Sequence, residues 1–226
     1  MLNNILNFNV DNRDFPYYNK NPHISKGGWL ILLLSALIAY FVYIRLLDYS
    51  KIVSGIAFCL IMLIPLLYLS NWDYDLIFHK PNMKEILLAI LLFIGYMAYV
   101  MIINSLVGGF SANASSAAVN WDLLVSFIFT LMGEELFKFI PLMFFMRFFY
   151  KFSNNRKISL AFASILVLLL FALLHFEGSI LSVIIFQGIG SIFELVGYLK
   201  TKNLFVSYLT HLLTDVFLTI LPLIHF

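Results

Sequence analysis

The chain has 226 residues, of which 62% are hydrophobic and 12% are charged, about half the charged fraction of a soluble domain. Its mean hydropathy of +0.94 excludes a protein that stays dispersed in water, and its formal net charge of +2 gives no sign of a nucleic-acid partner. The apolar runs are about 20 residues long, the length of a membrane-spanning helix. The composition therefore predicts an all-α, polytopic bundle of transmembrane helices and a multi-pass location in the cell membrane.

Seven apolar runs follow a polar N-terminal tail, which we place at residues 1–28. The predicted spans are about 29–47, 52–70, 84–104, 122–146, 158–175, 179–199 and 204–223. The segment 105–120 is rich in Gly, Ser, Ala and Asn and is predicted to be an exposed loop. The segment 147–157 is predicted to be a basic loop that turns at Asn154-Asn155. The three spans within 29–104 carry no motif, so we expect them to be accessory to a core at 122–223.

The distribution of basic residues predicts the orientation, because cytoplasmic loops carry the excess of Lys and Arg. With the N-terminus inside, the outer side holds only Arg45 and Lys51, and Lys138 lies within a span. All other basic residues then fall on the inner side: Arg13, Lys20, Lys26, Lys80, Lys84, Arg147, Lys151, Arg156, Lys157, Lys200 and Lys202. Seven spans with the N-terminus inside and the C-terminus outside is the predicted topology.

The fourth predicted span carries three charged residues near its middle: Glu134, Glu135 and Lys138. A charge at bilayer depth costs at least about 2.5–3.5 kcal/mol on insertion scales, so these groups need partners or a function. Glu134 and Lys138 are four residues apart with Glu first, the favourable order for an ion pair on one helix face. Glu135 is expected to point about 100° away from Glu134.

Two further spans carry histidines in helical spacing with a second functional residue. Phe171 lies four residues before His175, so its ring should lie beside the imidazole, and the Asp215 carboxylate can accept a hydrogen bond from His211. At about 1.5 Å rise per residue, Glu134 lies about 18 Å from the inner end of its span, His211 about 11 Å, Asp215 about 17 Å and His175 about 26 Å. These groups should therefore meet in a site that is catalytic, metal-binding or proton-carrying.

At these residues the sequence resembles the CPBP family, which comprises intramembrane CAAX-prenyl proteases and bacteriocin-processing and immunity proteins (Abi-type). The resemblance rests on three motifs: Glu134-Glu135, Phe171-x-x-x-His175 and His211-x-x-x-Asp215. Gly190, the turn at 198–204 and Ser207 also fit, and the resemblance covers about 122–220. The family usually has Arg five residues after the first glutamate, where this chain has Phe139, with Lys138 as the nearest cation. The Glu-Glu-x-x-Lys spacing also resembles membrane proteases that cleave anti-sigma factors.

The resemblance implies a role for each of these residues. Glu134 would be the general base on a water held jointly with His175, and His211 with Asp215 would stabilise the oxyanion. Glu135 and Lys138 would support Glu134, and Phe171 would support His175. No cofactor is expected; the alternative is Zn²⁺ bound by Glu134, His175 and His211 with water as the fourth ligand.

The leading hypothesis is an intramembrane endopeptidase that hydrolyses a peptide bond in a membrane-inserted or lipidated peptide or protein, such as a bacteriocin or signal-peptide precursor. Its partners would be that substrate and the bilayer. The alternative is a non-catalytic immunity or regulatory protein that binds a peptide or a partner membrane protein, and a third hypothesis is a small ion-coupled carrier. Outside the site, Glu177 is expected to be solvated, Gln187 and Glu194 to be packing contacts on one face, and His23, His79 and His225 to have no role.

Overall fold

A bundle of α-helices accounts for almost all of the computed structural model, which describes residues 4–10, 13–14, 24–107, 121–176 and 178–220. The helices are α1 (Lys26–Leu47), α2 (Lys51–Leu69), α3 (Met83–Val107), α4 (Trp121–Ser153), α5 (Arg156–Leu174), α6 (Ile180–Val183), α7 (Ile192–Thr201) and α8 (Leu204–Ile220). A π-helix, Ile184–Ile189, joins α6 to α7, and a 3₁₀ turn, Tyr74–Leu76, lies before α3. The two short strands β1 (Asn9–Val10) and β2 (Arg13–Asp14) pair antiparallel. The predicted all-α fold class is confirmed.

Several helices have the length and composition of membrane spans. Among the described residues, five continuous helical segments qualify: Lys26–Leu47, Lys51–Leu69, Met83–Leu106, Arg156–Leu174 and Ile180–Thr201. Helix α8 is shorter, at 17 residues, and α4 contains the three charged residues of the site. The chain is therefore a multi-pass membrane protein. The total of seven spans and the orientation stay predictions.

Helix α4 is the centre of the bundle and packs against α1, α2, α5 and α8. The close approach of α2 requires glycine at two positions. A Cβ at Gly133 would lie 2.4 Å from the Phe58 ring, and one at Gly55 would lie 2.5 Å from the Thr130 hydroxyl. Small residues at such crossings let helix backbones approach in a bilayer, where dispersion and hydrogen bonding replace the hydrophobic effect between helices. This contact fixes the depth of Glu134 relative to α2.

The turn between α7 and α8 is held by the loop that precedes α3. Helix α7 ends at Lys202, whose φ of 56° is left-handed and ends the helix. Asn203 donates from its side chain to the His79 carbonyl at 2.9 Å, and the Leu204 amide donates to the Ile77 carbonyl at 2.7 Å. These bonds fix the start of α8 and therefore the height of His211 in the bundle.

The structure changes the predicted boundaries between the fourth and fifth spans. The predicted basic loop at 147–157 is mostly helical, because α4 continues to Ser153 and only Asn154 and Asn155 separate it from α5. The turn is at the predicted dipeptide, where Asn154 has a φ of 48°. Most of the predicted loop at 105–120 lies outside the described residues.

Candidate active site

Glu134 and Glu135 point in different directions from α4, as their adjacent positions predict. The Glu135 side chain is only 2% exposed and faces α7 and α8, whereas that of Glu134 is 16% exposed. Glu134 lines a cavity of about 300 Å³ together with His175. The two neighbouring carboxylates therefore occupy different environments, one enclosed by polar partners and one open to a cavity.

The Glu135 carboxylate accepts hydrogen bonds from three side chains. Its Oε1 lies 2.6 Å from the Lys138 Nζ and 2.8 Å from the His211 Nδ1, and its Oε2 accepts from the Ser207 hydroxyl. The Lys138 ammonium also donates to the Glu194 carboxylate of α7. Charge-assisted hydrogen bonds of this kind are about twice as strong as neutral ones, so Glu135 is held in one position.

The prediction that Glu134 and Lys138 form an ion pair is wrong. Lys138 pairs with Glu135, three residues earlier, and with Glu194. Spacing on one helix permits both the i,i+3 and the i,i+4 pair. The buried Glu194 carboxylate on α7 draws the ammonium to the side of α4 that carries Glu135.

His211 is oriented by Glu135, and the hydrogen bond predicted from His211 to the Asp215 carboxylate is not formed. The His211 Nδ1 faces a Glu135 oxygen, which can only accept, so Nδ1 carries a proton. The other ring nitrogen, Nε2, lies 3.6 Å from the Glu134 Oε2 and 3.8 Å from the Asp215 Oδ2. The Glu134 and Asp215 carboxylates therefore both lie near Nε2 but beyond hydrogen-bond distance, whereas Glu135 binds Nδ1.

His175 lies at the C-terminal cap of α5, and Phe171 fixes its ring. The Nδ1 of His175 donates to the Phe171 carbonyl at 2.9 Å, which leaves Nε2 as the acceptor of the neutral ring, 4.0 Å from the Glu134 Oε2. The Phe171 ring centroid lies 4.6 Å from that of His175, and the Lys138 Nζ lies 4.5 Å from the Phe171 centroid. The predicted stacking of Phe171 beside His175 is present, and the same ring contacts the cation of the buried network.

The cavity beside Glu134 has one polar wall and several apolar walls. Helix α4 contributes Glu134 and Phe137, and the end of α5 contributes His175 and its neighbours. The remaining lining residues come from α1 and α2: Tyr40, Tyr43, Ile44, Leu47 and Phe58. The Tyr40 hydroxyl donates to the Leu174 carbonyl at 3.4 Å and so connects α1 to the residue before His175. The space fits an apolar or aromatic group next to Glu134 and His175.

Two sets of residues can be tested as ligands of a metal ion. Glu135, Glu194 and His211 have donor atoms within 4.8 Å of one another, but the Lys138 ammonium already binds both carboxylates, so this set does not fit a cation. The predicted set has the two histidine Nε2 atoms at 3.6 and 4.0 Å from Glu134. Ligands of a tetrahedral zinc ion are about 3.3 Å apart. The three donor atoms of this set do not all lie within 4.8 Å of one another, so among the described residues this set does not fit the ion either.

Sequence reasoning gave no role in the site to Glu194, which it expected to be a packing contact, and none to Ser207, which it named only as part of the resemblance. The signal for Glu194 was present, since a carboxylate inside an apolar span needs a partner and Lys138 was the nearest intramembrane cation. Its seven-residue spacing from Gln187 indicated a shared face, but the π-helix Ile184–Ile189 changes the helical register, and Gln187 is only half-buried. His79, which was expected to have no role in the site, lies in the loop before α3 and contacts Glu85 at the start of that helix at 3.0 Å. Glu177, expected to be solvated, and His23 and His225, expected to have no role, lie outside the described residues.

Comparison with protein families gives a match over the second half of the chain. Residues 116–217 match the model described as type II CAAX prenyl endopeptidase Rce1-like. This segment includes all of the predicted catalytic residues and leaves α1, α2 and α3 outside. Neither the curated proteins nor the solved structures contain a match to the chain.

Proposed function

Since residues 116–217 of the chain belong to the Rce1-like family of CPBP intramembrane proteases, we propose that this protein cleaves a membrane-inserted or lipidated peptide with water activated by Glu134 and His175. The observation that supports this proposal is the position of Glu134. Its carboxylate faces the Nε2 atoms of His175 and His211 at 4.0 and 3.6 Å and lines the cavity. Among the described residues, Glu134 has no hydrogen bond that occupies it structurally.

The water in this mechanism donates one hydrogen bond to each of two acceptors. The His175 Nε2 accepts one hydrogen bond, because its Nδ1 proton is committed to the Phe171 carbonyl. Glu134 accepts the other and takes that proton as the oxygen attacks the peptide carbonyl. The protonated Glu134 then delivers the proton to the leaving amine, which balances the hydrolysis.

The oxyanion would form on the side of His211. When His211 carries both protons, its Nδ1 donates to Glu135 and its Nε2 can donate to the oxyanion. Asp215, at 3.8 Å from the same Nε2, would stabilise the charge on the ring. Glu135 then acts as the residue that fixes the direction of this donor.

A zinc ion is the alternative means of activating the same water. Glu134, His175 and His211 would have to come closer together to hold it, and when bound it would supply Lewis-acid activation. Metal analysis of the purified protein, combined with a chelator titration of its activity, distinguishes the two: a stoichiometric metal whose removal abolishes cleavage would support the zinc form.

The test is cleavage by purified protein in detergent micelles. Two probes are used, a quenched peptide with an S-farnesylated cysteine three residues from its C-terminus and an unprenylated transmembrane peptide. Glu134→Ala and His175→Ala should each lower the rate by about 10²–10⁴-fold, the contribution of a general base. Asp122→Asn is the control, because Asp122 is an exposed carboxylate in the first turn of α4, twelve residues and about 18 Å along the helix from Glu134. Full activity in both alanine variants would contradict the proposal.

A non-catalytic binding protein makes the opposite prediction. The observation that supports this alternative is Phe139, which stands where the family usually has arginine. Such a protein would bind the probes without cleaving them, and Glu134→Gln would leave that binding unchanged.

A further inference from the structure

Glu194 is the second anion of a buried charge network that the three motifs do not include. It lies on α7, its side chain is 4% exposed, and it binds the Lys138 ammonium. It also approaches the His211 Nδ1 at 3.7 Å. A carboxylate at this depth is costly unless paired, so its presence requires an explanation from the site it contacts.

The contacts form a chain from Glu194 to the reactive face of His211. Glu194 binds Lys138, Lys138 binds the Glu135 Oε1 at 2.6 Å, and the same oxygen binds the His211 Nδ1 at 2.8 Å. The far nitrogen of that ring then faces Glu134 at 3.6 Å. Displacement of the ammonium would therefore change the direction of His211 without any contact to substrate.

The backbone of α7 also contacts the buried network around Glu135. The Ser207 hydroxyl contacts both the Glu135 Oε2 and the Glu194 carbonyl, the latter at 2.8 Å. Phe139, one residue after Lys138, packs edge-on against Tyr198 of α7 with ring centroids 5.3 Å apart. Phe139 therefore supplies no charge to the interface between α4 and α7. Among the described residues of this interface, Lys138 is the cation on α4 and Glu194 is its partner on α7.

We propose that Glu194 is a positioning residue: through Lys138 it holds the Glu135 carboxylate and thereby orients His211 toward Glu134. This inference rests on the proposed peptidase function. Glu194 does not contact the cavity and has no chemical step of its own. Residues that orient a reacting group in this way commonly contribute 10–100-fold to activity.

The test is a double-mutant cycle on Lys138 and Glu194. Glu194→Gln should lower kcat about 10–100-fold and leave KM within about twofold, because substrate contacts are unchanged. Lys138→Met leaves two buried carboxylates without their cation and should be the worst variant in both yield and kcat. The double variant removes one of those carboxylates, so it should exceed Lys138→Met in yield and in kcat.

This reversal of sign is the decisive result. The same change, Glu194→Gln, should be harmful when Lys138 is present and beneficial when it is absent, which a packing role does not produce. Equal or additive losses in the two backgrounds would overturn the proposal. If Lys138→Met does not accumulate in membranes, recovery of yield in the double variant is the measurement, and no recovery counts against the proposal.

A second measurement needs no substrate. In protein labelled with ¹⁵N-histidine, the proton on the His211 Nδ1 should give a sharp downfield NMR signal from its bond to Glu135. Glu194→Gln should broaden or shift it, Asp122→Asn at the exposed start of α4 should not, and an unchanged signal in Glu194→Gln would refute the positioning role. If no cleavage that depends on Glu134 is observed, the peptidase function is refuted. The NMR result alone then decides whether Glu194 positions His211.

Discussion

The two adjacent glutamates should respond in opposite ways to the same chemical change. In Glu135→Gln, an amide replaces a buried carboxylate that accepts from Lys138, His211 and Ser207. Removing one partner of a buried ion pair typically costs 3–5 kcal/mol, because the remaining charge is left uncompensated. Lys138 retains Glu194, so we expect the lower end of that range, about 3 kcal/mol.

Glu134→Gln should leave stability almost unchanged. The nearest histidine nitrogens lie 3.6 and 4.0 Å from its Oε2, so no hydrogen bond to a described residue is lost. A substitution without such a loss usually changes the free energy of unfolding by no more than about 0.5 kcal/mol. Activity, in contrast, should be lost in this variant.

The assay is thermal unfolding in detergent followed by tryptophan fluorescence. For a chain of this size about 1 kcal/mol corresponds to about 2–4 °C in Tm, so Glu135→Gln should lower Tm by about 6–12 °C and Glu134→Gln by less than about 2 °C. Ser207→Ala, which removes one donor to Glu135, should fall between them at about 1 kcal/mol. If Glu134→Gln lowers Tm as much as Glu135→Gln, the assignment of separate roles is refuted.

Two further predictions concern the packing of α4 and the turn after α7. Gly133→Ala places a Cβ 2.4 Å from the Phe58 ring, so it should lower stability by about 1–3 kcal/mol and reduce cleavage; recovery in the double variant with Phe58→Leu checks this cause. Burial lowers the pKa of Lys202, outside the spanning helices, to about 8 from its ordinary value near 10.5. Below pH 8 both folded and unfolded chains hold this proton, and between about pH 8 and 10.5 the unfolded chain binds more, so stability from this group rises with pH. The rise in Tm over that interval should be smaller in Lys202→Met, and an equal rise in both proteins would contradict the lowered pKa.

Composition and spacing were sufficient to predict the helical bundle and the residues that meet in it. Runs of about 20 apolar residues indicate spans whatever their neighbours are. The depth of Glu134, His211 and Asp215 follows from helix rise alone, and the structure brings these three residues and His175 together. Their catalytic roles stay predictions.

The hydrogen-bond partners could not be predicted in the same way, because they depend on which helices face each other. Spacing within α4 favoured Glu134 as the partner of Lys138, and spacing within α8 favoured Asp215 as the partner of His211. In both cases a residue on another helix determines the contact: Glu194 draws Lys138, and Glu135 binds the His211 Nδ1. A local pair contributes only a few tenths of a kcal/mol, far less than an unpaired buried charge costs.

The residues that line the cavity come from two parts of the chain. Two of its lining residues, Glu134 and His175, belong to the segment that matches the protease family, whereas Tyr40, Tyr43 and Phe58 come from helices outside it. The shape and polarity of these aromatic walls determine which side chain or lipid fits beside Glu134 and His175. The accessory helices are therefore where we expect substrate selection to reside, since their residues can change the cavity while the network around Glu135 stays intact.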